Sequence, residues 1–400
     1  VLLSIVVISI VLAAWGLAAA RLERLRISSP LLLVLAGAVV EYTTHGTLAD
    51  TLNSETAEHA AQIILAVLLF VDANTIRSGL LGAYPRSATR LLFLALPLSL
   101  ALAVALGLWL LPGLSWPIVL IIACIVVPID FAPSPNTIRD VQVPSRVRKL
   151  LNVEAGYNDG IISPVFVFAL AMADHQDGAD TLWEQVSSAV PHAVLAIVVG
   201  LGVGAGLAVA ANAADRAGLT TRQSGRVIVV VAPALAYTLS LAVGANGFVA
   251  AFLCGIGYHV FRHSADPEHE LELLDDIGFL LTSAMWFVLG GVALIAYWRA
   301  DLTVGIVVFC LLALTLIRML PVELAMLRSG FPWSQRLLLG WLGPRGASSI
   351  VFGLLAFNVI EGGDENTILL ILVVVVLGSV LLHGFGAPAA ARAFARARSE

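Results

Sequence analysis

The chain is a succession of apolar stretches, each bounded by charge, glycine or proline. Most run to about 20 residues, the length a helix needs to cross the hydrocarbon layer of a bilayer. Thirteen spans are read: 1–20, 29–41, 58–72, 91–111, 117–138, 149–172, 186–211, 226–243, 246–261, 276–297, 302–326, 337–358 and 366–386. Only 12% of the 400 residues are charged. A water-soluble domain carries about 25%, so much of this surface must face lipid. The fold class expected is an all-α polytopic membrane protein. The three cysteines, Cys124, Cys254 and Cys310, lie in apolar runs and read as small packing residues.

The basic residues test the span count independently, because Arg and Lys collect in cytoplasmic loops. Of the 22 basic residues, 19 fall in alternate loops or the tail, including Arg21, Arg86, Arg146, Lys149, Arg222, Arg262, Arg336 and Arg396. The opposite loops carry only Arg299 and are acidic, with Glu55, Glu58, Asp174, Asp301, Glu361 and Asp364 among them. This alternation predicts a multi-pass cell-membrane protein with its N-terminus outside and a cytoplasmic tail at 387–400. The first apolar run ends at Arg21 without a small-residue cleavage site, so no cleavable signal peptide is expected. The chain starts at Val1 rather than Met, and a few residues are expected to precede it.

Two spans are interrupted. The fifth contains Pro128, Pro133 and Pro135, which cannot all sit in one regular helix. The twelfth contains Gly340, Gly343, Pro344 and Gly346. If spans 1–6 (about 1–172) and 8–13 (about 226–386) are repeats joined by span 186–211, each break falls in the fifth helix of its repeat. Paired breaks at corresponding positions are the mark of an inverted-repeat transporter, with its site where the broken helices meet. Irregular backbone at that depth is tolerated only where it lines a cavity or is buried in protein.

Ionisable residues at membrane depth are costly and functional by default. They are Asp72, Asp130, Glu154, Asp159, Arg318, Glu323 and Arg345. Asp130 and Arg345 sit in the two breaks. Each reads either as part of the site or as a fixed counter-charge, Asp130 to half-helix N–H groups and Arg345 to C-terminal carbonyls. On the sixth span Glu154 and Asn158 are one turn apart and share a face, for which Arg318 is the matching cation. Asp159 points about 100° away, toward the breaks. A lone carboxylate in a half-dry cavity disfavours its bare charge and so takes up either a proton or a cation. Gly156 and Gly160 beside it are read as giving room for an ion.

Five stretches carry a family resemblance: Leu69-Phe70-Val71-Asp72-Ala73, Ile129-Asp130-Phe131, the run from Glu154 to Gly160, the run from Asn246 to Phe252, and Gly343-Pro344-Arg345-Gly346. Together they resemble the monovalent cation/proton antiporters of NhaP type, related to animal sodium/proton exchangers. The resemblance implies that Asp159 binds the ion and the proton, making Asp159 and Asp130 the metal-binding acids, with Ile129 and Asp72 beside them. It implies a stabilising cluster of Glu154, Asn158 and Arg318, one-for-one electroneutral exchange of Na⁺, K⁺ or Li⁺ for H⁺, and a homodimer. No cofactor, enzymatic activity or nucleic-acid partner is implied. The family's Thr and Ser are replaced by Ile129 and Ala155, removing two hydroxyls; the Ile129 carbonyl, Ser134, Asn136 or Asp72 are the candidates to replace them. Fewer hard oxygens would weaken Na⁺ binding more than K⁺ binding.

Competing readings are a cation channel and a transport-impaired sensor on the same fold. A channel would need a repeated carbonyl filter, which is absent. A serine protease pairing Ser348 with His383 lacks its supporting elements. His259, His263 and His269 fit no tight metal spacing, and Gly200, Gly202, Gly204 and Gly206 read as a close-packing surface.

Overall fold

A computed structural model describes residues 2–24, 29–44, 54–74, 79–131, 143–174, 182–264 and 266–396. Of the residues singled out above, Pro133, Ser134, Pro135 and Asn136 lie outside the described residues. Every regular element among the described residues is a helix. In chain order they are α1 (Leu2–Arg24), α2 (Ser29–Thr44), α3 (Glu55–Asn74), α4 (Pro85–Leu110), α5 (Trp116–Val126), α6 (Ser145–Asp174) and α7 (Leu182–Arg216). They continue with α8 (Arg222–Ala242), α9 (Gly247–Phe261), α10 (Pro267–Arg299), α11 (Val304–Ala325), α12 (Trp333–Trp341), α13 (Ala347–Val359) and α14 (Asp364–Arg396). Nine helices among the described residues are long and apolar enough to cross a membrane, and four shorter apolar ones, α2, α5, α9 and α13, lie among them. The chain is therefore an all-α polytopic membrane protein.

Proline and glycine explain most local departures from a straight helix. A single π-turn at Leu91–Ala95 sits just before Pro97 in α4, where the ring removes a backbone donor. In α6, Pro164 likewise deprives the Gly160 carbonyl of its helical donor. The Ser163 hydroxyl takes that carbonyl at 3.1 Å, so the helix runs through the proline unbroken.

Close crossings use glycines as contact points. A Cβ on Gly37 of α2 would lie 1.8 Å from the Phe287 carbonyl oxygen of α10, and one on Gly290 would lie 1.9 Å from that of Val34. Only paired glycines let two backbones meet like this. The α7 glycines divide. Gly200 and Gly204 press on Ala250 and Cys254 of α9, whereas Gly202 and Gly206 have nothing within 4 Å. Only half of that expected packing surface is used.

Three interruptions shape the interior. Helix α5 stops at Val126, and the chain runs on without helix through Pro128 to Phe131. Helices α12 and α13 are separated by an irregular stretch over 342–346. The two irregular stretches touch, since the Asp130 N–H donates to the Pro344 carbonyl at 2.8 Å. The third interruption lies inside the span read over 302–326, where the sequence reading placed none. Helix α11 is broken at Thr315 (φ −130°, ψ −90°), which frees carbonyls of its first half for an outside donor.

Candidate functional site

The touching breaks form the centre of the site, and α6 packs beside them. Its residues Glu154, Asn158 and Asp159 are all buried. Successive residues on a helix point about 100° apart, so one turn of α6 addresses three different neighbours.

Glu154 meets Arg318 from the second half of α11 in a two-pronged pair, Nη1 to Oε1 at 2.6 Å and Nη2 to Oε2 at 3.0 Å. The Nη2 group also donates to the carbonyls of Leu339 and Leu342 at 3.1 and 3.2 Å. The cation thus ties α6, α11 and the end of α12 together. Gly343 makes room for it: a Cβ there would stand 2.4 Å from the Arg318 Nε and 3.0 Å from the Ile129 side chain.

Asn158 does not join this pair, contrary to its expected orientation toward Arg318. Its Nδ2 donates to the Ile129 carbonyl at 2.8 Å, and its Oδ1 accepts from the Asp159 N–H at 2.6 Å. The reason is the end of α5, where the helix stops and leaves carbonyls that need donors. The Ile129 carbonyl, expected as an ion ligand, accepts this bond with one of its two lone pairs. Gly160 is corrected as well. The space beside it holds the ring of Phe252 from α9, whose atoms would lie 2.4–2.5 Å from a Cβ, so it is a packing contact.

Asp130 reaches across to the second break. The N-cap of α13, Gly346, has no side chain to cap with, and the Asp130 Oδ2 accepts from the Ala347 N–H at 3.1 Å instead. An acid here also complements the positive end of the α13 dipole. A Cβ on Gly346 would fall 1.9 Å from that same Oδ2, which is why the position must be glycine.

Arg345 reaches the other way. It is 1% exposed. Its Nε donates to the Val126 carbonyl at 2.8 Å, Nη2 to the Ala313 carbonyl at 2.8 Å, and Nη1 to the Gly343 carbonyl. Val126 ends α5 and Ala313 lies at the end of the first half of α11, so one guanidinium satisfies two helix C-termini. The backbone N–H of Arg345 donates to the Ser379 hydroxyl at 2.7 Å, and the His383 ring lies 2.9 Å from the carbonyls of Ser379 and Trp341. Helix α14 therefore clamps the second break, a role that the sequence reading missed. The His383 ring is held by these backbone groups and by the Gly343 N–H.

Asp159 stands apart from these fixed contacts. It is 2% exposed, and its Oδ1 has no hydrogen-bond partner. The Ser348 side chain, buried in the first turn of α13, lies near its carboxylate. Asp72 on α3 and Asp130, both half-buried, lie close enough for the three carboxylates to act on one another electrostatically. Charges of one sign so near each other in a poor dielectric call for a proton or a cation. Among the described residues no group of three or more His, Cys, Asp or Glu side chains is suited to hold a metal ion, so a bound cation would need backbone or hydroxyl oxygens as well.

The remaining candidates are peripheral. Glu323 pairs with Arg336 at 3.4 Å, both partly exposed. His263 contacts Asn212, and His269 lies against Arg226 and Glu272. Arg262 binds Asp215 at 2.7 Å and Glu270 at 2.9 Å, fastening the ends of α7, α9 and α10. Loop charge alone gave no sign of that knot.

A family model described as sodium/hydrogen exchanger, transmembrane, matches residues 7–393. Among solved structures, one of the sodium proton antiporter MjNhaP1 from Methanocaldococcus jannaschii at pH 8 superposes with a TM-score of 0.80 at 20% identity, covering 98% of this chain and 99% of that one. An electron-microscopy structure of the same antiporter gives a TM-score of 0.73 at 19% identity, covering 98% of each chain.

Proposed function

The chain belongs to the sodium/hydrogen exchanger family and is a secondary transporter, and on that premise we propose that cation and proton compete for Asp159. The observation that carries this reading is the buried Oδ1 of Asp159. It is an acceptor without a partner, while Glu154, Asn158, Asp130 and Arg345 are committed to fixed contacts. Of the two buried acids of α6, the one with an oxygen left unpartnered is the one able to change its ligand.

In the proposed cycle the Asp159 carboxyl group releases its proton to one side. The carboxylate then binds an alkali cation, and the bundle around α5, α6, α12 and α13 rocks to expose the site opposite. Protonated or cation-loaded, Asp159 carries no net charge, which favours one-for-one electroneutral exchange. Asp130 would keep α13 capped throughout, and Asp72 would add a third carboxylate to the field. Na⁺, K⁺ and Li⁺ all fit this scheme.

The architecture assigned to this cycle is thirteen spans. Residues 1–172 and 226–386 form two inverted repeats, 186–211 joins them, the N-terminus is outside, 387–400 is a cytoplasmic tail, and the protein is a homodimer. The meeting of two interrupted segments at Asp130 and Pro344 supports the repeat reading. The loop-charge alternation supports the orientation.

Cation-driven recovery of a quenched pH dye in proteoliposomes tests the site. Asp159→Asn is expected to abolish exchange with Na⁺, K⁺ and Li⁺ alike, and exchange that survives intact would remove Asp159 from the mechanism. Cation flux uncoupled from protons in the unaltered protein would favour a channel.

A further inference from the structure

We propose that His383 is a positioning residue for exchange: its ring stands in for hydrogen bonds that the second break removes, and it changes partner as the break changes shape. This rests on the exchange cycle given above, with Asp159 as the competing site.

An unbroken helix through 339–345 would send the Gly343 N–H to the Leu339 carbonyl and the Arg345 N–H to the Trp341 carbonyl. Across the break these four groups are shared out differently. The Arg345 N–H donates to the Ser379 hydroxyl at 2.7 Å, and the Gly343 N–H to the His383 Nε2 at 3.4 Å. The Leu339 carbonyl accepts from Arg318 at 3.1 Å, and the Trp341 carbonyl faces the same His383 Nε2 at 2.9 Å. Ser379 and His383 are one turn apart on α14 and so share a face. Side chains from α14 thus replace much of the missing turn.

The replacement is short of a proton. The ring Nδ1 lies 2.9 Å from the Ser379 carbonyl, which only a ring N–H can meet, while Nε2 faces a donor and an acceptor at once. A neutral imidazole has one donor and one acceptor, so three backbone groups compete for two nitrogens. With the proton on Nδ1, Nε2 accepts from Gly343 and the Trp341 carbonyl is left over. With the proton on Nε2, the ring serves Trp341 and the Gly343 N–H is left over. The imidazolium serves both carbonyls and releases Gly343. The ring is 1% exposed, so water does not make up the difference, and each proton state favours a different shape of the break.

The backbone carries this to the site. Gly343 lies against Arg318 and Ile129, the Pro344 carbonyl holds the Asp130 N–H, and the Ala347 N–H holds the Asp130 carboxylate. A shift at 341–343 is therefore felt at Asp130 and at the Ile129 turn that Asn158 grips. A break that bends as the bundle rocks needs a partner able to follow it. One ring nitrogen that can either donate or accept does so, whereas Arg318 and Arg345 can only donate. The charged groups acting on the ring are Arg345 in the break and Arg318 on α11, the latter paired with Glu154.

The test is proteoliposome exchange against Na⁺ concentration, per folded transporter, across the pH range in which histidine titrates, in His383→Leu and His383→Gln. Leucine fills the space without a polar atom. Its maximal rate is expected to fall about tenfold, the scale of one buried backbone group left unpaired, with the half-saturating Na⁺ concentration unchanged because no ion ligand is lost. Glutamine carries a donor and an acceptor at one end, so it can serve Trp341 and Gly343 together and should keep most of the maximal rate. In the unaltered protein the maximal rate should fall toward acid in a one-proton step, as the imidazolium fixes on both carbonyls, and His383→Gln should lack that step. An undiminished maximal rate in His383→Leu overturns the proposal, as does a glutamine variant equally slow or one that keeps the acid step. A half-saturation raised in either variant does so too. If His383→Leu does not fold, the rate and pH profile of His383→Gln decide. Proton competition at Asp159 instead moves half-saturation and vanishes at saturating Na⁺, so a half-saturation indifferent to pH sinks the Asp159 reading alone.

Discussion

Removing the Arg318 guanidinium while leaving Glu154 in place isolates the cost of the buried pair. The two side chains are 7% and 3% exposed and share two hydrogen bonds of 2.6 and 3.0 Å. In Arg318→Ala the Glu154 carboxylate stays where lipid-facing helices and the breaks exclude water, and the Leu339 and Leu342 carbonyls lose their donor. Breaking one partner of such a pair costs about 3–5 kcal/mol, because an uncompensated charge is left behind. That is two to four decades in the folded fraction at about 1.4 kcal/mol per decade. Replacing both partners, as in Glu154→Met/Arg318→Met, removes the charge together with its counter-charge. The double variant should therefore regain most of the loss, although both groups are gone. Thermal unfolding in detergent, followed by tryptophan fluorescence, gives the comparison. An Arg318→Ala variant that melts with the unaltered protein, or a double variant no better than the single one, would refute the argument.

Three further outcomes follow from the same geometry. Gly346→Ala places a Cβ where the Asp130 Oδ2 now sits, so it should displace the cap of α13 and lower exchange more than it lowers the melting temperature. Arg345→Lys keeps the charge but not the fork. It should cost at least about 2 kcal/mol in unfolding measurements, because one ammonium cannot serve three carbonyls set at different angles. On α7, Gly204→Ala should destabilise by about 1–3 kcal/mol through collision with the Cys254 carbonyl. Gly202→Ala, with nothing within 4 Å, should be neutral or stabilising by up to about 1 kcal/mol through helix propensity. Equal effects at the two glycines would show that α7 and α9 do not meet as described.

The sequence by itself determined what depends on solvent and on local covalent geometry. Apolar runs of bilayer length leave a chain no option but helices, because hydrocarbon offers no partner to a bare peptide group. The prolines and glycines near 128 and 343 fixed where helices must stop, since a missing donor acts on its own turn. The charges at depth, from Asp72 to Arg345, stood out because their burial has to be compensated.

The tertiary structure alone decided how those charges are shared. Arg345 was legible as a cap for carbonyls, but not for which ones, because Ala313 comes free only where α11 breaks at Thr315. Asn158 shares a helical face with Glu154, yet its Nδ2 goes to the Ile129 carbonyl and its Oδ1, the atom Arg318 could have used, accepts from the Asp159 N–H. Gly160 looked like space until Phe252, some 90 residues on, was seen to fill it. Periodicity tells which way a side chain points along its own helix. What it meets there is set by packing between distant segments, and that decides why Glu154 and Asn158 are committed while Asp159, with one oxygen unpartnered, is not.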